Sequence, residues 1–142
     1  MRWWDTSALL SILLEQEATE DLKGLLASDQ DIAVWWGTKA ESVSAVSRLQ
    51  REAQLEPAVA SHVLKQLDVL LSSAWEVQPL EEVRVTACRA VRVHELRAAD
   101  ALQLAAALVW AEHRPTGLGF VCLDRRLHEA AMREGFELSP GS

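Results

Sequence analysis

Four carboxylates sit at or just inside the start of a helical pattern: Asp5 in WWDTSALL, Glu41 in TKAESVSAVSRL, Asp100 in LRAADALQLAAAL and Asp124 in FVCLDRRLHEAAMREGF. Asp5 follows a short apolar run directly and Asp124 follows another, so both lie where a buried strand hands over to a helix. Glu41 falls in the first turn of the helix after DIAVWW, and Asp100 near the start of a long apolar helix. In an open parallel sheet every strand end that feeds a helix lies along one edge, and ligands bind in the crevice there. Asp5, Glu41 and Asp124 then face the same edge, and Asp100 joins them if its helix begins beside it. Converging carboxylates repel, and full ionisation requires a compensating cation. An oxygen-only donor set without paired Cys or His selects a hard ion, Mg2+ or Mn2+, over zinc. Such an ion keeps positions open for water and phosphate oxygens, the arrangement that phosphodiester cleavage uses.

Taken singly, each acid also has a structural reading. Asp5 and Asp124 are placed as N-caps, and Thr38-Lys39-Ala40-Glu41 fits a capping box. Asp100 lies four residues after Leu96 and four before Leu104, on a stripe continued by Ala107, Leu108 and Ala111. It is expected to point the way those apolar side chains do, with a helix-dipole role in the first turn as the alternative. A buried carboxylate without a partner is expensive, so it must have a cation, hydrogen bonds or a shifted pKa.

The elements that position these acids follow from periodicity. Short apolar runs at 2–4, 31–36, 75–77, 119–123 and 136–138 read as strands. Helical spacing marks SALLSILLEQE, 18–27, 38–53, the segment opened by Pro57, LEEVRVTACRAV, LRAADALQLAAALVWAEH and RRLHEAAMREG. Strands alternating with helices predict an α/β fold in three layers, α/β/α, with a short parallel sheet at the centre. One domain is expected over 1–138, with 139–142 a short disordered tail. Adjacent strand residues point to opposite covered faces. Trp3, Trp4, Trp35, Trp36, Trp75 and Trp110 are therefore expected in the core rather than stacked on RNA bases.

With 142 residues, 49% of them hydrophobic, the chain is long enough for one real core and too short for two. No stretch approaches the roughly 18 to 20 apolar residues of a membrane span, and the N-terminus lacks signal-peptide order. A soluble, cytoplasmic protein is expected. Cys88 and Cys122 suggest no disulfide scaffold, and His62, His94, His113 and His128 no zinc spacing. A net charge of −7 argues against a passive nucleic-acid-binding module. The charge is uneven: residues 1–80 carry 6 Lys and Arg against 12 Asp and Glu, residues 81–142 carry 8 against 9. All eight of those later cations are arginine, the side chain best shaped for bidentate contact with phosphate.

In this order and at these separations, WWDTSALL, TKAESVSAVSRL, LRAADALQLAAAL and FVCLDRRLHEAAMREGF resemble the four motif regions of PIN-domain nucleases. More narrowly, they are similar to the VapC-type toxins of toxin-antitoxin pairs. The resemblance spans Trp3 to Phe136. It implies a PIN-like fold and a Mg2+- or Mn2+-dependent endoribonuclease that acts as a toxin. Carried over by position, Asp5, Glu41, Asp100 and Asp124 form the acidic metal site. Ser7, and Thr6 beside it, support that site by hydrogen bonding, and Arg97 is a candidate phosphate contact. Partners implied by the resemblance are an RNA substrate, a cognate antitoxin and a second copy of the chain in a homodimer. A metal-activated water, and no side-chain nucleophile, then cleaves the phosphodiester.

Two positions depart from the pattern: Gln103 stands where many relatives have His, and Cys122 where Thr or Ser is usual. Altered tuning or substrate handling is expected there rather than lost activity. Two rival readings remain. In a non-catalytic α/β interaction domain the acids are caps only. In an aspartyl-phosphate phosphotransferase Asp5 is the nucleophile, but the second Asp usual two residues on is Ser7 here.

Overall fold

The first strand, β1 (Arg2–Trp4), is three residues long, yet both of its tryptophans are fully buried, one on each face of a sheet. The computed structural model describes residues 1–141. After β1 come α1 (Thr6–Leu13), α2 (Thr19–Ser28), β2 (Ile32–Trp35), α3 (Thr38–Arg51), α4 (Pro57–Ser72) and β3 (Trp75–Val77). The chain continues through α5 (Glu81–His94), α6 (Ala98–Trp110), β4 (Gly119–Val121), α7 (Arg125–Glu134) and β5 (Glu137–Ser139). All strand pairs are parallel, in the order β3-β2-β1-β4-β5. Among the described residues no helix is long and apolar enough to cross a membrane.

The two-residue period of the strands sorts their side chains between the layers. Trp3, Ala33, Trp35 and Phe120 pack with α5, α6 and α7. Trp4, Ile32, Val34 and Val121 pack with α1, α2 and the end of α4. A third cluster, Leu10, Val46, Ala60 and Val63, joins α1, α3 and α4. This is the three-layer α/β/α arrangement expected. From β1 the chain steps outward through β2 and β3, then crosses back to the other side of β1 for β4 and β5. The order therefore reverses between β1 and β4, and a crevice opens beyond their carboxyl ends.

Three details differ from expectation. Trp36 is 53% and Trp75 61% exposed, because β3 is an edge strand and Trp36 lies one residue past the end of β2. Trp110 is half-buried against Trp3, with ring centroids 5.9 Å apart. Ser139, assigned by sequence to a disordered tail, belongs to β5: it pairs with Val121, and its carbonyl accepts from the Cys122 N–H at 3.0 Å. Pro140 follows in place, its carbonyl 3.1 Å from His128 Nε2. Ser142, the end of that expected tail, lies outside the described residues.

Gly37 brings β2 and α3 together. Its φ of −73° and ψ of −8° suit any residue, but a Cβ there would lie 2.4 Å from Trp35 Nε1. The absence of a side chain lets α3 begin over the Trp35 ring, which sets the direction of the helix that carries Glu41. Gly37→Ala is expected to lower stability by about 1–3 kcal/mol. Gly24→Ala, inside α2 with nothing within 4 Å of its Cβ, is expected to raise it by about 0.5–1 kcal/mol. Urea denaturation of the two variants checks the opposite signs; equal effects would refute the packing role of Gly37.

Candidate active site

Asp5 begins where β1 ends. Its N–H donates to the Val121 carbonyl at 3.1 Å, which extends the β1–β4 pairing by one step. Its side chain caps α1, Oδ1 accepting from the Ala8 N–H at 3.3 Å. Ser7 Oγ donates to the same carboxylate, 2.8 Å from Oδ1 and 3.0 Å from Oδ2, and accepts from the Leu123 N–H at 3.0 Å. A hydroxyl has one hydrogen to give. With the Leu123 N–H on its lone pair, Ser7 is oriented to spend that hydrogen on Asp5. The same bond draws Leu123 out of the sheet, so β4 stops at Val121 and the chain turns toward Asp124.

Glu41 does not fold back in a capping box. Gly37, not Thr38, occupies the N-cap position of α3, and no side chain caps the helix. Thr38 is fully buried, and its Oγ1 accepts from Gln103 Nε2 at 3.1 Å. The Glu41 carboxylate turns toward α1 instead: Oε2 accepts from Thr6 Oγ1 at 3.0 Å and Oε1 from Gln103 Nε2 at 3.4 Å. Gln103 reaches Thr6 Oγ1 as well, at 3.1 Å, and its Oε1 accepts from Trp3 Nε1 at 3.3 Å. Sequence reasoning marked Gln103 only as a departure. The signal for more was there, since an amide inside an Ala- and Leu-rich helix requires hydrogen-bond partners.

Asp100 lies in the first turn of α6, half-buried, and Asp124 is the exposed N-cap of α7, accepting from the Leu127 N–H at 3.0 Å. Arg97, the residue expected to touch phosphate, occupies the N-cap position of α6. It is exposed, and its charge and that of Arg126 both favour the ionised form of Asp100. Arg126 was not singled out from sequence. Neither arginine forms an ion pair among the described residues.

All four acids line one cavity of about 520 Å³, with Thr6 and Ser7. The rest of its wall is mixed: Leu10, Leu14, Ala45, Leu49 and Leu123 are apolar, while Gln16 and Arg48 are polar. Burial is the main force on the acids. It pushes Asp5 up to about 7, against the pull of Ser7 and the Ala8 N–H, with Glu41 adding repulsion. Glu41 is raised by burial and by Asp100, opposed by Thr6 and Gln103, and Asp100 is raised by burial and by Asp124. The repulsion runs from acid to acid along the cavity. Among the described residues no three acidic, His or Cys side chains stand close enough to enclose an ion by themselves. Mg2+ is commonly held by one or two carboxylates, with water completing the shell. An oxygen-only set gathered round a cavity of this size fits an ion of that kind.

The sign of the pH effect follows. In the folded state the Asp5 pKa lies above its unfolded value of 3.8, so the folded state binds more protons and loses stability as pH rises from about 4 to 7. Above pH 7 the cost is roughly 4 kcal/mol. Asp5→Asn keeps an oxygen for the Ala8 N–H and removes the ionisation. In EDTA at pH 8 the variant is expected to melt several degrees above wild type, and at pH 4 at nearly the same temperature. A gap that does not change with pH would refute the burial argument.

The PIN domain family model matches residues 4–131. Solved structures of similar fold include a toxin-antitoxin complex from Klebsiella pneumoniae, 15% identical over 87% of this chain and 87% of that one, with a TM-score of 0.60. PAE2754 from Pyrobaculum aerophilum is 25% identical over 95% of this chain and 81% of its own, with a TM-score of 0.63. FitAcB from Neisseria gonorrhoeae is 19% identical over 97% and 96%, with a TM-score of 0.66. A comparison with curated proteins finds no match. The family match runs from the last residue of β1 through most of α7, and takes in all four acids. The chain belongs to the PIN domain family, whose members are generally nucleases.

Proposed function

We propose that this PIN domain is a Mg2+- or Mn2+-dependent endoribonuclease and the toxin of a toxin-antitoxin pair. The observation that carries the reading is that carboxylates from four separate elements line one cavity at the sheet's switch point. PIN nucleases generally use divalent metals. Asp5, Asp100 and Asp124 would hold the ion directly or through water, and Glu41 would bind a second ion or orient the attacking water. A bound divalent ion would supply charge compensation for the scissile phosphate and Lewis-acid activation of water. Ser7 keeps the Asp5 carboxylate turned to the cavity, and Thr6 does the same for Glu41. Arg97 and Arg126, exposed and near enough for their charges to act on Asp100, would receive the phosphates of the approaching strand.

The toxin role is supported by the resemblance to VapC-type chains and by the Klebsiella pneumoniae structure of similar fold, which is a toxin-antitoxin complex. The proposed partners are accordingly RNA, an antitoxin chain and a second copy of this chain, in the cytoplasm. A non-catalytic reading draws on the capping bonds of Asp5 and Asp124. The phosphotransferase reading is disfavoured, because Asp5 is 4% exposed with Ser7 on both of its oxygens.

Purified protein incubated with total cellular RNA is expected to cleave it in Mg2+ or Mn2+ and not in EDTA. Asp100→Asn is expected to reduce the rate about 100-fold or more. Mn2+ should raise the melting temperature of wild type and not that of an Asp5→Asn, Asp100→Asn double variant. Cleavage that survives both EDTA and the Asp100 substitution would sink the mechanism. Absence of both cleavage and metal stabilisation would favour the non-catalytic domain.

A further inference from the structure

We propose that Gln103 is a positioning residue for Glu41, holding its carboxylate at the cleft through a hydrogen-bond relay whose direction is set by Trp3. The proposal rests on the nuclease reading, which gives Glu41 its task.

Gln103 is 1% exposed, and residues 104–108 of the same helix are all buried Leu or Ala. An amide in such surroundings is tolerated when both of its ends are paired. The fully buried Trp3 fixes which end faces which way. An indole N–H can only donate, so the 3.3 Å contact from Trp3 Nε1 requires the carbonyl oxygen of Gln103 on that side. The amino group is thereby turned toward the cleft. It has two hydrogens and meets three acceptors: Thr6 Oγ1 and Thr38 Oγ1 at 3.1 Å each, and Glu41 Oε1 at 3.4 Å.

The short bond to Thr6 passes the direction on. Once Thr6 Oγ1 accepts from the amide, its own hydrogen is free, and it points to Glu41 Oε2 at 3.0 Å. Glu41 is therefore held at one oxygen by Thr6 and approached at the other by Gln103 itself. The amide thus ties β1, α1 and α3 to α6 at the point where Glu41 leaves its helix. Gln103 does not line the cavity, so it acts through Glu41 and not on substrate. A neutral imidazole, with one donor and one acceptor, could accept from Trp3 and donate to one group only. Glutamine can accept from Trp3 and donate to two.

Gln103→Met keeps the length and volume of the side chain and removes both ends of the relay. It is expected to lower kcat for RNA cleavage about 10- to 100-fold with KM unchanged, and to weaken Mn2+ binding, measured by calorimetry, about 10-fold or more. In a Glu41→Gln background it should cost no further activity, because the group it positions has already been altered. Trp3→Phe, which keeps a ring and removes the indole N–H, repeats the test with a smaller expected loss if Gln103→Met fails to fold. An unchanged kcat and Mn2+ affinity in a cleaving enzyme would overturn the proposal alone, as would an equal loss in both backgrounds. A wild-type protein that neither binds Mn2+ nor cleaves RNA would overturn the nuclease reading and this proposal with it.

Discussion

Asp5 is 4% exposed, and its oxygens are met by the Ser7 hydroxyl and by backbone N–H groups at the start of α1. These donors do not repay the desolvation of the carboxylate, so the fold has to hold it there by force from elsewhere. That force comes from β1. Trp3 and Trp4 are fully buried on opposite faces, and each indole removes on the order of 150–250 Å² from water. At about 25 cal/mol per Å² this is roughly 4–6 kcal/mol apiece as an upper figure. The two together exceed the roughly 4 kcal/mol that ionising Asp5 costs at neutral pH. The strand stays formed, and it holds Asp5 at the cavity with its pKa pushed up to about 7.

The other acids extend this constraint without sharing a local cause. Asp5 precedes α1, Glu41 lies in α3, Asp100 in α6 and Asp124 precedes α7. No stretch of sequence places two of them together; the strand order does, because β1 and β4 are neighbours with helices leaving both from the same edge. A chain of net charge −7 with its carboxylates gathered in one cavity repels any polyanion. Arg97 and Arg126 beside Asp100 offset part of that field, and a divalent ion among the acids would offset more. A cation in the cleft would relieve the repulsion among the acids and the repulsion toward phosphate together.

Much of this was legible in the chain. Periodicity marks the short strands and amphipathic helices, and the strand-to-helix junction rule brings Asp5, Glu41 and Asp124 to one edge. Where the structure departs from a local pattern, a tertiary contact or a place in the sheet decides. Thr38-Lys39-Ala40-Glu41 has capping-box spacing, but Glu41 finds better donors in Thr6 and Gln103, 35 and 62 residues away. Trp75 reads as a core strand residue, and its place in an edge strand leaves it 61% exposed. Ser139 reads as tail, and β4 supplies a partner for it. Gln103 announced that it needed partners; which ones depended on Trp3, 100 residues away in sequence.

Capping and chemistry are not competing explanations for the acids that follow strands. A carboxylate offers about four lone-pair positions on two oxygens. Asp124 spends Oδ1 on the Leu127 N–H, and among the described residues no donor reaches its Oδ2. The cap thus fixes the rotamer and leaves the second oxygen for another partner. Asp5 goes further: Ala8 and Ser7 hold Oδ1, while Oδ2 has only the same Ser7 hydroxyl, whose one hydrogen cannot fully satisfy both. The two acids that cap α1 and α7 thus inherit the rigidity of the helices they start, and no additional loop is needed to hold them in place.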